Sequence, residues 1–194
     1  MIKAIIFDCF GVLSTEGFGS FRDKYLVNDP DRRQQANKTM DELNAGRIPY
    51  DEFVKELARL ANVSEQTVGE YLSENKPNEP LFDYIRQNLK PHYKIGMLSN
   101  AGDNWLEELF EQRDIKLFDD IVLSYKFGMI KPQSDIYTLA VKRLGVASSE
   151  SIFIDDQEKH CEGARAAGIR AIWYKDFSQF RFELEKILAP SADN

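Results

Sequence analysis

Cysteine is scarce in this 194-residue chain: Cys9 and Cys161 are the only two, far apart and without metal-type spacing. That pattern indicates neither a disulfide scaffold nor a zinc site, and a reducing cytoplasm is the expected compartment. Positive charge is in deficit, with 25 Lys and Arg against 32 Asp and Glu and a formal net charge of −7. Neither nucleic acid nor an anionic membrane surface is therefore expected as the main partner. Long apolar runs are missing too. The stretch from Met1 to Phe7 is too short for a signal peptide and Asp8 interrupts it at once, and no transmembrane segment is read elsewhere. Internal repeats and low-complexity tracts are absent, and the last few residues read as frayed. What the chain does have is 43% hydrophobic content. That suits one α/β core of about 120 to 140 residues plus a modest accessory element.

Residues 3 to 7 form a short β-branched run that stops at an Asp and a Gly, as a buried parallel strand ending in a functional turn would. From about 15 to 90 the periodicity is helical. Gly46 closes one helix, Pro49 opens another carrying Phe53, Leu57 and Leu60, and Ser64 caps a third. The segment Lys76-Pro77-Asn78-Glu79-Pro80 marks the exit from these helices. Beyond Pro91 strands and helices alternate. Strands are expected at 94–99, 121–124, 151–154 and 170–174, and helices at about 104–113, 133–144, 158–167 and 180–188. This alternation predicts a Rossmann-like parallel sheet with helices on both faces, and a ligand site at the strand C-termini.

Four polar clusters fall at such places. In Phe7-Asp8-Cys9-Phe10-Gly11 an Asp follows a buried strand, which is costly unless it is hydrogen-bonded, metal-bound or open to a cleft. Ser99-Asn100 ends the next strand, a pairing that ordinary turn chemistry also explains. Lys131-Pro132 precedes a helix, where an ammonium and a helix N-terminus together could hold an anion. Asp155-Asp156 ends another strand, and adjacent carboxylates repel unless a cation lies beside them; hard oxygen ligands in this number suit Mg²⁺. Helix capping by the Asp pair is the bland alternative. His160 reads as a solvated or packing histidine, and Phe18, Phe21, Tyr25 and Tyr50 as packing aromatics.

In order and spacing the four clusters resemble the haloacid dehalogenase superfamily over nearly the whole chain. The resemblance implies a core of residues 1–14 and 86–194, with a small all-helical cap at 15–85 inserted after the first strand. It implies that Asp8 is the nucleophile, that Ser99 or Asn100 binds the transferred group, and that Lys131 neutralises its oxyanions. Mg²⁺ would be held by Asp8, the Phe10 backbone carbonyl and Asp156, with Asp155 partly behind. The expected activity is hydrolysis of a small phosphorylated metabolite through an aspartyl-phosphate, by a monomer or weak homodimer.

One position departs from the phosphatase pattern, which carries a second Asp two residues after the nucleophile as general acid and base. Here it is Phe10. Loss of such a group costs about 10² to 10⁴ in rate. Two alternatives follow: a catalytically weak or purely binding relative, and a metal-free displacement like that of the 2-haloacid dehalogenases, which carry an aromatic residue there. The Asp155-Asp156 pair argues against the second. A phosphorelay receiver domain fits poorly, because its acidic pair precedes its phosphorylated Asp. Glu16 is a candidate proton source from its proximity in sequence alone.

Overall fold

The computed structural model describes residues 1–189, and the expectation of a frayed end lies outside them. Strand β1, Ala4–Phe7, is buried at every position. It occupies the centre of a five-stranded parallel sheet, with β2 (Lys94–Ser99) and β3 (Asp120–Leu123) on one side and β4 (Ser151–Asp155) and β5 (Arg170–Trp173) on the other. Phe7 aligns with Met97 of β2 and Ile154 of β4, so Asp8 leaves the sheet between two neighbours that end level with it.

Side chains on a strand alternate between faces, and here both faces are covered. Ile5 and Phe7 join Ile95, Met97, Ile152 and Ile154 in one cluster, capped by Phe82 and Phe180. Ala4 and Ile6 join Leu98 and Phe153 in the other, under Ile136, Tyr137, Val141 and Leu144. A sheet buried on both faces explains why β1 reads as a continuous apolar run rather than an alternating one.

Between β1 and β2 lie α1 (Gly17–Tyr25), α2 (Pro30–Asn44), α3 (Tyr50–Ala61), α4 (Glu65–Ser73) and α5 (Glu79–Tyr84), the last continuing as a wider turn over Ile85–Leu89. Asp29 caps α2, with Pro30 at its first position, and Ser64 accepts from the Thr67 N–H to cap α4. Helices α1 to α4 bury a third cluster of their own, Phe18, Phe21, Leu26, Phe53, Leu57, Leu60 and Val68 among it. The chain enters and leaves this insert along two adjacent passages. The Thr15 N–H donates to the Lys76 carbonyl at 3.0 Å, and the Asn78 N–H to the Leu13 carbonyl at 2.8 Å.

The second half contains α6 (Leu106–Leu109), α7 (Gln112–Ile115), α8 (Ser134–Leu144), α9 (Glu158–Ala166) and α10 (Phe177–Leu188). The single helix expected at 104–113 is in fact α6 and α7. Phe110 breaks it by taking an extended conformation and burying its ring against Phe82, 5.1 Å between centroids. Helix α10 begins three residues earlier than the periodicity suggested, because Asp176 accepts from the Gln179 N–H and caps it there. Strand β3 runs one residue earlier than expected, leaving Ser124 just beyond its end. Gly145 stops α8 in the left-handed conformation, φ +67.

Candidate active site

Asp8, Ser99, Lys131, Asp155 and Asp156 gather at the carboxyl edge of the sheet because β1, β2 and β4 are neighbours and end together. The Asp8 backbone N–H donates to the Ile154 carbonyl, tying the turn to the end of β4. Its carboxylate is nearly buried, at 5% exposure. Oδ1 accepts from the Cys9 N–H at 2.7 Å and meets the Lys131 Nζ at 2.7 Å, whereas no described residue bonds Oδ2. One oxygen is therefore fixed and the other is open. Burial and the Asp155 charge push the Asp8 carboxyl well above its ordinary value, against the pull of Lys131.

Lys131 is the pivot of the site. It is 2% exposed, and its Nζ lies 2.7 Å from both Asp8 Oδ1 and Asp155 Oδ2. Burial opposes its charge, but the two carboxylates outweigh burial and raise its pKa. Asn100 holds the backbone of this lysine from both sides: its Oδ1 accepts from the Lys131 N–H at 2.8 Å, and its Nδ2 donates to the Lys131 carbonyl at 3.2 Å. The amide expected to bind a transferred group is thus occupied in positioning the lysine. Ser99, fully buried, makes only a long 3.5 Å contact to the Asn100 carbonyl, so its hydroxyl is the freer of the two.

The two adjacent acids have separate surroundings. Asp155 is fully buried and saturated, accepting from Lys131, from the Gln157 N–H at 2.8 Å and from His160 Nδ1 at 3.0 Å. Burial works against its charge, yet Lys131 and His160 hold the carboxyl well below the usual range. Asp156 is the opposite case. Its Oδ1 is buried without a hydrogen-bond partner among the described residues, and burial together with the Asp155 charge pushes the carboxyl up to about 6.

These observations test the fit of a divalent cation. Asp8, Asp155 and His160 lie close enough together to suggest one site, but Lys131 already bridges the two carboxylates and His160 is bonded to Asp155. The oxygens that lack a cation are elsewhere: the orphaned Asp156 Oδ1 and the open Asp8 Oδ2. The Phe10 carbonyl likewise takes no backbone N–H from the described residues. Gly11, φ +86, is packed so tightly against the Asp156 carboxylate that a Cβ would collide with it. Three hard oxygens without partners suit Mg²⁺.

Phe10 does not stand alone. Its ring packs on Trp105, 4.7 Å between centroids and tilted by 60°, and Trp105 rests in turn on Phe110 at 6.2 Å. Sequence reading had no means of pairing Phe10 with Trp105, because the contact exists only where the turns after β1 and β2 meet. His160 is 3% exposed, so it is not solvated. It stands on the first turn of the helix after Asp155, a spacing that could have flagged it as a partner of that strand end. Burial lowers its pKa below the ordinary value, and a neutral ring can donate from Nδ1 to Asp155. Glu16 caps α1, its Oε2 accepting from the Gly19 N–H at 2.6 Å. In the insert Phe18 and Phe21 are buried and Tyr25 packs on Phe21 at 5.1 Å, while Tyr50 is the exception at 44% exposure.

The insert meets the core close to this edge. Ser124 Oγ donates to the Asn44 carbonyl at 2.5 Å and accepts from the Ala101 N–H at 2.9 Å. Leu43 fills the space beside Gly102, and Gly46 lies against the Tyr125 backbone. An open groove of about 1030 Å³ between α2 and α3 contains none of the residues at the sheet edge.

Residues 2–168 match the family model described as haloacid dehalogenase-like hydrolase. The chain is 28% identical to the D-ribitol-5-phosphate phosphatase of Bacteroides thetaiotaomicron, with 97% of this chain and 99% of that protein covered. It is 30% identical to the bifunctional epoxide hydrolase 2 of Sus scrofa over 96% of this chain, which spans only 39% of that longer protein. Its fold is like that of a HAD family enzyme of B. thetaiotaomicron crystallised with magnesium and inorganic phosphate. There the TM-score is 0.72 at 23% identity, covering 93% of this chain and 99% of that one.

Proposed function

This chain belongs to the haloacid dehalogenase-like hydrolases, and from that premise we propose that it is a Mg²⁺-dependent phosphatase of a small phosphorylated metabolite, with Asp8 as nucleophile. The observation that carries the reading is the asymmetry of the Asp8 carboxylate, with Oδ1 held by Lys131 and the Cys9 N–H while Oδ2 is open beside the orphaned Asp156 oxygen.

In this reading the Asp8 carboxylate attacks phosphorus in line with the leaving oxygen, the phosphoryl group passes to Asp8, and water then hydrolyses the aspartyl-phosphate. Lys131 keeps its proton throughout, because two carboxylates raise its pKa, and it supplies a fixed positive charge to the transferring oxygens. In this reading Ser99, the freer of the two side chains, holds a phosphoryl oxygen, and Asn100 keeps Lys131 in position. Mg²⁺, held by Asp8, the Phe10 carbonyl and Asp156, would neutralise charge on the transferred group. Residues 15–85 serve as a cap that closes over the site, and residues 1–14 and 86–194 form the catalytic core. Two buried, unpaired thiols suit a reducing cytoplasm.

The D-ribitol-5-phosphate phosphatase similarity supports a phosphate monoester as substrate. The aromatic at position 10 keeps the metal-free dehalogenase reading in view, but the partnerless Asp156 oxygen has no use in it. Purified protein is expected to hydrolyse an aryl phosphate with Mg²⁺ and to lose the activity with chelator or with Asp8→Asn. No turnover of any activated phosphate overturns the proposal. Halide release from a 2-haloacid without metal would put the dehalogenase in its place.

A further inference from the structure

We infer that the leaving group is aromatic: the site takes the phosphate monoester of a phenol-type alcohol that carries no further negative charge. This rests on the phosphatase reading and narrows its substrate class. The first ground is the wall of the site. Phe10 follows β1 and Trp105 follows β2, adjacent strands, so both rings stand at the carboxyl edge around Asp8. Each ring is only partly buried, and each backs onto the core, Trp105 through Phe110. Two partly exposed aromatic side chains from two separate segments offer faces and edges on which another ring can stack.

The second ground is the absence of a free proton donor beside Asp8 among the described residues. The charged groups that act on Asp8 are Asp155, Lys131 and Asp156. Asp155 is saturated by Lys131, His160 and the Gln157 N–H, and Lys131 is fixed between two carboxylates. Asp156 faces Gly11. Glu16 is engaged at the start of α1. A leaving oxygen that must depart unprotonated does so most easily as a phenoxide, whose conjugate acid has a pKa of about 10, far below that of an alkyl alcohol. The third ground is charge: Asp103 and Glu108, both exposed, flank Trp105 in the chain, so a carboxylate or second phosphate on the leaving group would meet like charge.

The test separates stacking from general hydrophobicity by using inert ligands. Benzylphosphonate and cyclohexylmethylphosphonate are titrated against the full chain with Mg²⁺ by calorimetry, with inorganic phosphate as reference. Benzylphosphonate is expected to bind about fivefold tighter than its saturated counterpart, the factor a stacked pair supplies. A carboxylate on the benzyl ring should weaken binding. Trp105→Leu and Phe10→Leu should each reduce the benzyl-to-cyclohexyl ratio. The wild-type comparison stands without them if either variant fails to fold. Equal affinities, or tighter binding of the saturated ring, overturn the aromatic inference while continued hydrolysis of phosphate esters leaves the phosphatase reading intact. If neither phosphonate nor phosphate binds and no ester is hydrolysed, both fall together.

Discussion

The ammonium of Lys131 lies 2.7 Å from Asp8 Oδ1 in an environment where both side chains are almost wholly shielded from water. A cation so placed compensates two carboxylates at once, because its other contact is Asp155 at 2.7 Å. Removing it would leave two buried charges without that counter-charge. Lys131→Met is expected to destabilise the fold by about 3 to 5 kcal/mol, the usual cost of breaking a buried ion pair from one side. Adding Asp8→Asn should recover part of that loss. Urea denaturation of the single and double variants checks both statements.

Magnesium should stabilise the protein more at neutral than at acid pH. Burial and Asp155 push Asp156 up to about 6 from an ordinary 3.8. Between those values the folded chain holds a proton that the unfolded chain has released, so without metal stability falls as pH rises from about 4 to 6. Above 6 the penalty is complete, and a cation at Asp156 relieves it. The rise in Tm with Mg²⁺ is expected to be large at pH 7.5, small at pH 5, and much reduced in Asp156→Asn. A thermal series at the two pH values measures it.

Phe10→Asp is expected to speed the hydrolysis of alkyl phosphates by up to about 10² by restoring an acid and base, and to flatten the dependence of rate on leaving-group pKa. Aryl phosphates should gain much less. Steady-state kinetics on a graded series of esters decides the matter, and a uniform change across the series would point to the cap rather than to the proton.

Ser124 joins the insert to the core. Ser124→Ala would leave the Asn44 carbonyl and the Ala101 N–H without their buried partner. A cost of about 1 to 3 kcal/mol is expected, with a raised KM if the insert takes part in binding substrate, because α2 would be held less firmly against the core. Gly46→Ala should act in the same direction, since Gly46 has φ +69 and a Cβ there would press on the Tyr125 backbone. Denaturation and kinetics of the two variants test the contact.

His160→Ala removes the Nδ1 donor from Asp155. The expected loss is about 1 to 3 kcal/mol of stability and a lower kcat with little change in KM, because Asp155 orients Lys131 rather than the leaving group. Asparagine at 160, which can still donate, should recover part of both.

Much of this fold was readable from the chain. The β-branched run before Asp8 and the alternation beyond Pro91 place all five strands within a residue of where they lie, because a parallel sheet covered on both faces needs uninterrupted apolar segments. Pro49 and the Ser64 cap marked the starts of α3 and α4 for the same local reason. One misreading came from a local cap, Asp176, that starts α10 early, and another from a distant partner that prevailed over local pattern. Phe110 broke an expected helix in order to pack on Phe82.

The sequence by itself determined the identity and order of the polar groups that follow the strands, since a carboxylate or an ammonium at the end of a buried run is expensive without a purpose. Tertiary structure alone decided how those groups divide the work. It spent the Asn100 amide on Lys131, made His160 a buried partner of Asp155, left Asp156 with an unmatched oxygen, and set Trp105 against Phe10. Each of these is a contact between turns brought together by sheet order, and sheet order is fixed by packing across the whole core rather than by any neighbouring residue.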